Sequence, residues 1–268
     1  MTLRAGSSNG ENESQPFPPP TNFGIKAAVT VPYTFIHGDP SSPFLLVADH
    51  ASNHVPEDIS LGIAPERLNE HIAIDLGVAA LGRALCAALD CPGLLGGVSR
   101  LIVDLNREED APHNIPIASD GHAIPGNAIP HDERQSRIDR FWRPYHARIA
   151  AQIDAQKPRL LISLHSFTPQ LETAPNELRP WEIGILYNND DRAARIAIPL
   201  LEAAGLAVGD QLPYSGKLLN ATMNAHGEAN GIPYLGLEVR QDLIGDDGGV
   251  ERWAELLVPV VKHCAMTC

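Results

Sequence analysis

Short apolar runs punctuate the chain at Phe44–Ala48, Leu101–Leu105, Leu160–Leu164 and Tyr234–Val239, with Ile183–Tyr187 as a further candidate. Runs of this length without polar alternation predict strands buried on both faces, as in parallel sheets. Helical periodicity separates them. Val78, Leu81, Leu85 and Leu89 recur at spacings of three and four, one face of a helix opening near Asp75. Ile138, Phe141, Tyr145, Ile149 and Ile153 do the same across residues 132–157, where Pro144 predicts a kink. Val250, Trp253, Leu257 and Val260 mark a C-terminal helix. Buried strands alternating with helices predict an α/β fold: a three-layer sandwich with a mixed, mostly parallel central sheet and helices on both faces.

Residues 1–24 are rich in Ser, Asn, Gly and Pro without hydrophobic periodicity, which predicts a disordered tail ahead of a single domain over 25–268. No internal repeat is visible. Residues 108–131 form a Pro/Gly/Asn-rich connection of a length that is often functional. At 268 residues, 44% hydrophobic and 20% charged, the composition is that of an ordinary globular protein. The net charge of −13 and the 5% aromatic content argue against a nucleic-acid partner, which needs clustered cations or stacking platforms. They leave room for a small anionic substrate held by a few arginines. Cys86, Cys91, Cys264 and Cys268 form no CxxC pair and are expected as free thiols, the last two in a fraying terminus. No apolar run reaches signal-peptide or membrane-span length, so a cytoplasmic protein is expected; the oligomeric state is not legible.

The informative feature is where the polar residues fall. Phe44–Ala48 runs into Asp49-His50-Ala51-Ser52-Asn53. Leu101–Leu105 carries Asp104 and ends in Asn106-Arg107; Leu160–Leu164 ends in His165-Ser166; Tyr234–Val239 carries Glu238 and ends in Arg240. Ligands of open α/β sheets bind outside the carboxyl ends of the strands, so these groups are expected in one cleft. Two imidazoles with nearby carboxylates suit metal-assisted hydrolysis: a catalytic zinc site uses about three His or acidic ligands and keeps a position for water. A lone histidine after a strand is commonly structural, and Asp104 could equally be a buried ion-pair partner of a nearby arginine. No GxSxG elbow, phosphate-binding loop or dinucleotide-binding glycine pattern is present. Ser166 adjoins His165, but neighbours on a strand face opposite ways, which is poor geometry for a nucleophile–base pair.

At these residues the chain resembles the N-formylglutamate amidohydrolase family. The matching segments are LLVADHASNHVP (45–56), AIDLG (73–77), SRLIVDLNRE (99–108), ISLHSFTP (162–169), PYSG (213–216) and GLEVRQDLI (236–244), in the family's order. That family resembles the zinc carboxypeptidases and aspartoacylase-type deacylases in its sequence of motifs. The resemblance implies a zinc ion on His50 and His165, with Asn106 and Arg107 contacting substrate or oxyanion, Glu238 as general base and Arg240 as a carboxylate clamp. The relatives carry an acidic ligand three residues after the first histidine. Asn53 stands there in this chain, so Asp75, whose alternative role is a helix N-cap, is the other candidate for the third ligand. Arg100 is a second candidate clamp, and Tyr214 could hydrogen-bond the scissile group. Many members have Asn-Glu-Pro-Tyr where this chain has Gln211-Leu212-Pro213-Tyr214.

The implied reaction is metal-dependent hydrolysis of an N-acyl acidic amino acid such as N-formylglutamate, giving formate and glutamate in amino-acid catabolism. The alternatives are another N-acyl amino acid, a carboxypeptidase-like peptidase, or a non-catalytic binder that kept the fold.

Overall fold

The computed structural model describes residues 1–2 and 31–268. The tail expected over 1–24 therefore lies, from residue 3 onward, outside the described residues. Among the described residues nine strands and six α-helices follow one another as β1 (Tyr33–Ile36), β2 (Phe44–Ala48), α1 (Val78–Leu89), β3 (Gly93–Gly96), β4 (Ala118–Ser119), β5 (His122–Ala123), α2 (His131–Arg137), α3 (Arg143–Gln156), β6 (Leu160–Phe167), β7 (Ile183–Leu186), α4 (Arg192–Ala203), β8 (Val208–Asp210), α5 (Ala221–His226), β9 (Tyr234–Arg240) and α6 (Asp247–Thr267). Seven strands form one sheet in the order β1-β3-β2-β6-β9-β7-β8, while β4 and β5 make a separate hairpin.

The four central strands β3, β2, β6 and β9 are parallel, and β1 and β7 join them antiparallel. β2, β6 and β9 are buried along almost their whole length, as their unbroken apolar runs require. Alternation along β2 separates the two faces. Leu46 reaches Gly82 of α1, whereas Asp49, just past the strand, meets Tyr145 of α3 and Thr222 of α5. α1, α6 and α4 thus cover one face, and α3 with α5 the other. From β2 the chain crosses through α1 to β3 on one side, and β6 inserts on the other. The crevice between the carboxyl ends of β2 and β6 is therefore a topological switch point, the usual ligand site of such sheets.

Three expectations are corrected. Leu101–Leu105 is no strand; it is a buried irregular segment. Its backbone is satisfied by side chains and loops: Asn127 Nδ2 donates to the Leu101 carbonyl at 2.8 Å, His146 Nε2 bonds the Leu105 carbonyl at 2.9 Å, and the Asp104 N–H donates to the Asn114 carbonyl at 2.6 Å. The strand position beside β2 is taken by the glycine-containing Gly93–Gly96, because any side chain at Gly96 would lie 2.1 Å from the Asp49 carbonyl oxygen. Second, the irregularity lies ahead of Pro144 rather than at it: Ile138–Trp142 is a π-helical turn through which α2 runs without a break into α3, and it contains Arg140, whose carbonyl Pro144 cannot bond for want of an N–H. Third, the C-terminus does not fray at its cysteines. α6 continues to Thr267 and buries Cys264, and all four cysteines are free thiols.

Candidate functional site

The polar site grows from the ends of β2 and β6. His50 follows β2, and His165 lies near the end of β6. Asp75 sits just ahead of α1, on a segment tied back to β2 by its own N–H, which donates to the His50 carbonyl at 3.0 Å. Its side chain does not cap the helix, whose N-cap is Gly77. Instead Asp75 Oδ2 lies 3.3 Å from His50 Nδ1 and 2.9 Å from His165 Nδ1, and the three residues are buried. One oxygen and two ring nitrogens thus converge on one point. The opposite ring nitrogens both face carboxylates: His50 Nε2 is 2.7 Å from Asp104 Oδ1, and His165 Nε2 is 3.3 Å from Asp49 Oδ2. This is how metal-binding imidazoles are commonly held, with one nitrogen braced by a carboxylate and the other turned to the ion. Arg100 closes the cluster, donating to Asp75 Oδ1 and Asp104 Oδ2 at 3.0 Å each.

The charges show what this cluster lacks. Asp49, Asp75 and Asp104 bring three negative charges and Arg100 one positive charge, so with neutral histidines the group is short of two positive charges. Burial would favour neutral histidines, but in His165 the carboxylates of Asp49 and Asp75 outweigh it and hold the ring well above the usual imidazole range. Burial and Arg100 oppose the same effect at His50, yet Asp104 and Asp75 raise it too. The Asp75 and Asp104 carboxyls are pushed well down despite burial, His50 being the largest of the opposing influences. Two protons can make up the deficit; one divalent cation on the converging Nδ1, Nδ1 and Oδ2 atoms makes it up equally well. The donor set and its charge therefore fit such an ion.

A cleft of about 410 Å³ opens over this cluster. Glu238 projects into it from β9, paired in register with His165 on the adjacent strand. Its Oε2 is buried and has no partner among the described residues. Burial, reinforced by the Asp75 charge, raises the Glu238 carboxyl to about 7. Asn106 is oriented by α5: its Oδ1 accepts the Thr222 N–H at 3.0 Å, which leaves Nδ2 as the donor on the cleft side. Arg107 lines the cleft with Nη1 on the Asn106 carbonyl and no carboxylate partner among the described residues. Tyr214 lines it too, its hydroxyl accepting from Arg179 at 3.0 Å. The connection over 108–131 forms part of the wall through His113, Pro116 and the β4–β5 hairpin, where Asp120 accepts from the Glu172 and Thr173 N–H groups.

The model of the N-formylglutamate amidohydrolase family matches residues 42–245. The chain belongs to this family. No curated protein matches it. Among solved structures, gene product Atu2144 of Agrobacterium tumefaciens is similar at 29% identity and a TM-score of 0.82, covering 87% of this chain and 94% of that one. The N-formylglutamate amidohydrolase of Ralstonia eutropha JMP134 shares the fold at 20% identity and a TM-score of 0.62, over 88% and 99% of the two chains. Membership makes amide hydrolysis the chemistry of the family to which this cleft belongs.

Within this amidohydrolase, not every residue expected at the site reaches it. His50, His165, Asp75, Glu238, Asn106, Arg107, Arg100 and Tyr214 all line the cleft. Asn53 does not join them: its amide donates to Asn69 Oδ1 at 3.0 Å, and the acid that meets the histidines comes from Asp75, 25 residues after His50. Arg240 is no clamp. Its Nε bonds Asp242 at 2.8 Å, and its Nη1 bonds the Pro180 and Trp181 carbonyls at 3.4 Å, away from the cleft. Arg100 is present but committed to Asp75 and Asp104. The run-end pattern places Asp49 and Asp104 near the histidines and allows Asp104 an arginine partner, which Arg100 is, but gives neither acid a contact with a histidine, and nothing in it points to Arg179 or Thr222. Among the described residues no helix is long and apolar enough to cross a membrane.

Proposed function

We propose that this protein is a zinc-dependent amidohydrolase that removes the acyl group of an N-acyl acidic amino acid, with N-formylglutamate the leading substrate and formate and glutamate the products. The observation that carries this reading is the convergence of His50 Nδ1, His165 Nδ1 and Asp75 Oδ2, with Glu238 on the strand beside His165. These three residues would hold the ion. Bound there, a divalent metal supplies Lewis-acid polarisation of the acyl carbonyl and a lowered pKa for the attacking water.

The remaining work falls to the chain's own groups. Glu238, its Oε2 without a partner among the described residues and its carboxyl raised to about 7, takes the proton of the attacking water and returns it to the leaving amine. Arg107 and the Asn106 Nδ2 donors serve the anionic oxygens of the substrate, both its carboxylate and the one developing at the scissile carbonyl. Arg107 takes over the recognition expected of Arg240 and Arg100, which are committed elsewhere. Tyr214, its oxygen fixed by Arg179, can donate its own proton into the cleft. The buried surroundings keep these charges in a low-dielectric site, where they act strongly.

The test is Glu238→Gln, which keeps the size of the side chain and removes the base. Turnover of N-formylglutamate should fall by about 10²–10⁴-fold while zinc content stays at the wild-type level. Turnover within tenfold of wild type would show that another group carries the proton. A parallel panel of N-formyl, N-acetyl and dipeptide substrates separates the named substrate from its alternatives.

A further inference from the structure

Asp49 is fully buried, and its only ion-pair partner among the described residues is His165. A bare carboxylate in such a place is costly unless its lone pairs are used. One side is used: Oδ1 accepts from the Tyr145 hydroxyl at 2.9 Å and the Thr222 hydroxyl at 3.0 Å, two donors from two different helices on the α3 face. The other side is not. Asp49 Oδ2 and His165 Nε2 lie 3.3 Å apart, and each is a buried atom with no hydrogen-bond partner of good geometry among the described residues. Two orphaned atoms of complementary chemistry face each other across one ion-pair distance.

We propose that Asp49 is a positioning residue for the metal ligand His165: fixed by Tyr145 and Thr222, it accepts a hydrogen bond from the ring's Nε2–H, which keeps the proton on Nε2 and leaves the Nδ1 lone pair for the ion shared with Asp75. The inference rests on the metal reading given above. It assigns to His165 the brace that Asp104 gives His50, whose Nε2 contact is 2.7 Å. It also explains why the residue is an acid rather than an amide. Three donors surround Asp49, namely the Tyr145 hydroxyl, the Thr222 hydroxyl and His165 Nε2. A carboxylate accepts on both oxygens, whereas an amide accepts on one side and presents N–H groups on the other. An asparagine with Nδ2 toward His165 would set donor against donor; with Nδ2 toward the two hydroxyls, which can accept while Thr222 turns its proton to the Leu105 carbonyl at 3.2 Å, it would offer Nε2 only a neutral oxygen in place of a carboxylate.

The experiment compares wild type with Asp49→Asn and Tyr145→Phe. Zinc affinity is read by competition with a chromophoric chelator, and the His165 Nε2 proton by NMR of the zinc-loaded protein. Asp49→Asn should bind zinc about 10–100-fold more weakly and lose the exchange-protected Nε2 proton signal. Tyr145→Phe, which removes one of the donors that aim Asp49, should weaken zinc binding by a smaller but measurable factor of about 3–10. A folded Asp49→Asn with wild-type zinc affinity and an unchanged Nε2 signal would leave Asp49 as a pin between β2 and the two helices and overturn the proposal. If Asp49→Asn does not fold, Tyr145→Phe decides: unchanged zinc affinity overturns the proposal. Wild-type protein that takes up no zinc would sink the metal reading itself, an outcome distinct from either variant's failure.

Discussion

Replacing Arg100 by Met tests the charge balance of the cluster directly. The guanidinium bridges Asp75 Oδ1 and Asp104 Oδ2 at 3.0 Å each, and these carboxylate side chains are only 3% and 6% exposed. Methionine keeps the apolar stem and deletes the charge, so that two buried carboxylates lose the one arginine in ion-pair contact with them among the described residues. Breaking a buried ion pair by removing one partner costs about 3–5 kcal/mol. Here one cation serves two anions, which argues for the upper end. Its side chain is 26% exposed, however, so water and salt screen part of the interaction and argue for the lower end. We expect a loss of about 3 kcal/mol in the metal-free protein, a change of more than a hundredfold in the folding equilibrium. Saturating zinc should shrink that loss to less than half, because the ion offsets the same carboxylates. The assay is urea unfolding of wild type and variant, each in chelator and in excess zinc, with the m-values checked for equality. A loss below about 1 kcal/mol in chelator would refute the premise that these carboxylates depend on Arg100. An equal loss with and without zinc would refute the premise that the ion and the guanidinium neutralise the same charge.

Two further outcomes follow from groups outside the cluster. His226 donates to or accepts from His146 Nδ1 at 2.9 Å, and burial, helped by the neighbouring His146, depresses it to about 4 from an ordinary 6.5. Its folded pKa lies below its unfolded one, so the unfolded chain binds the extra proton between these values, and stability is lost as pH falls through that window. Against His226→Gln, which keeps a donor for His146, wild type should lose about 3 kcal/mol between pH 6.5 and pH 4, read from urea unfolding at stepped pH; parallel profiles would show that the ring is not held neutral. Asn127 donates to the Leu101 and Pro116 carbonyls at 2.8 and 2.7 Å and accepts from Arg137 at 2.7 Å, stitching down the irregular segment that carries Arg100 and Asp104. Asn127→Ala leaves those buried groups without partners and should cost about 2–3 kcal/mol in denaturant unfolding; a cost under about 0.5 kcal/mol would mean that other contacts hold the segment.

The apolar runs and their polar ends were enough to foresee a parallel sheet with chemistry at its carboxyl edge. The reason is local: a run buried on both faces must be nearly continuous, and the polar side chains that a ligand can reach stand at or close to its carboxyl end. Hence β2, β6 and β9, and with them His50, His165 and Glu238, were legible along the chain. Leu101–Leu105 carries the same apolar signal and is nevertheless no strand, because periodicity reports burial and not the partner that satisfies the backbone; here that partner is a set of side chains from distant segments. Arg240 and Glu238 are two residues apart on one strand, yet one faces the cleft and the other reaches Asp242 and two carbonyls beyond the strand's end. Which acid meets the two imidazoles, which carboxylates face their far sides, and what holds those carboxylates depend on contacts between residues 25 to 173 positions apart. Local pattern determines what must be buried and where a strand can end, whereas the pairing of charges inside the buried site is decided only when the folded chain brings distant segments within a few ångströms, where each lone pair and proton can be satisfied once.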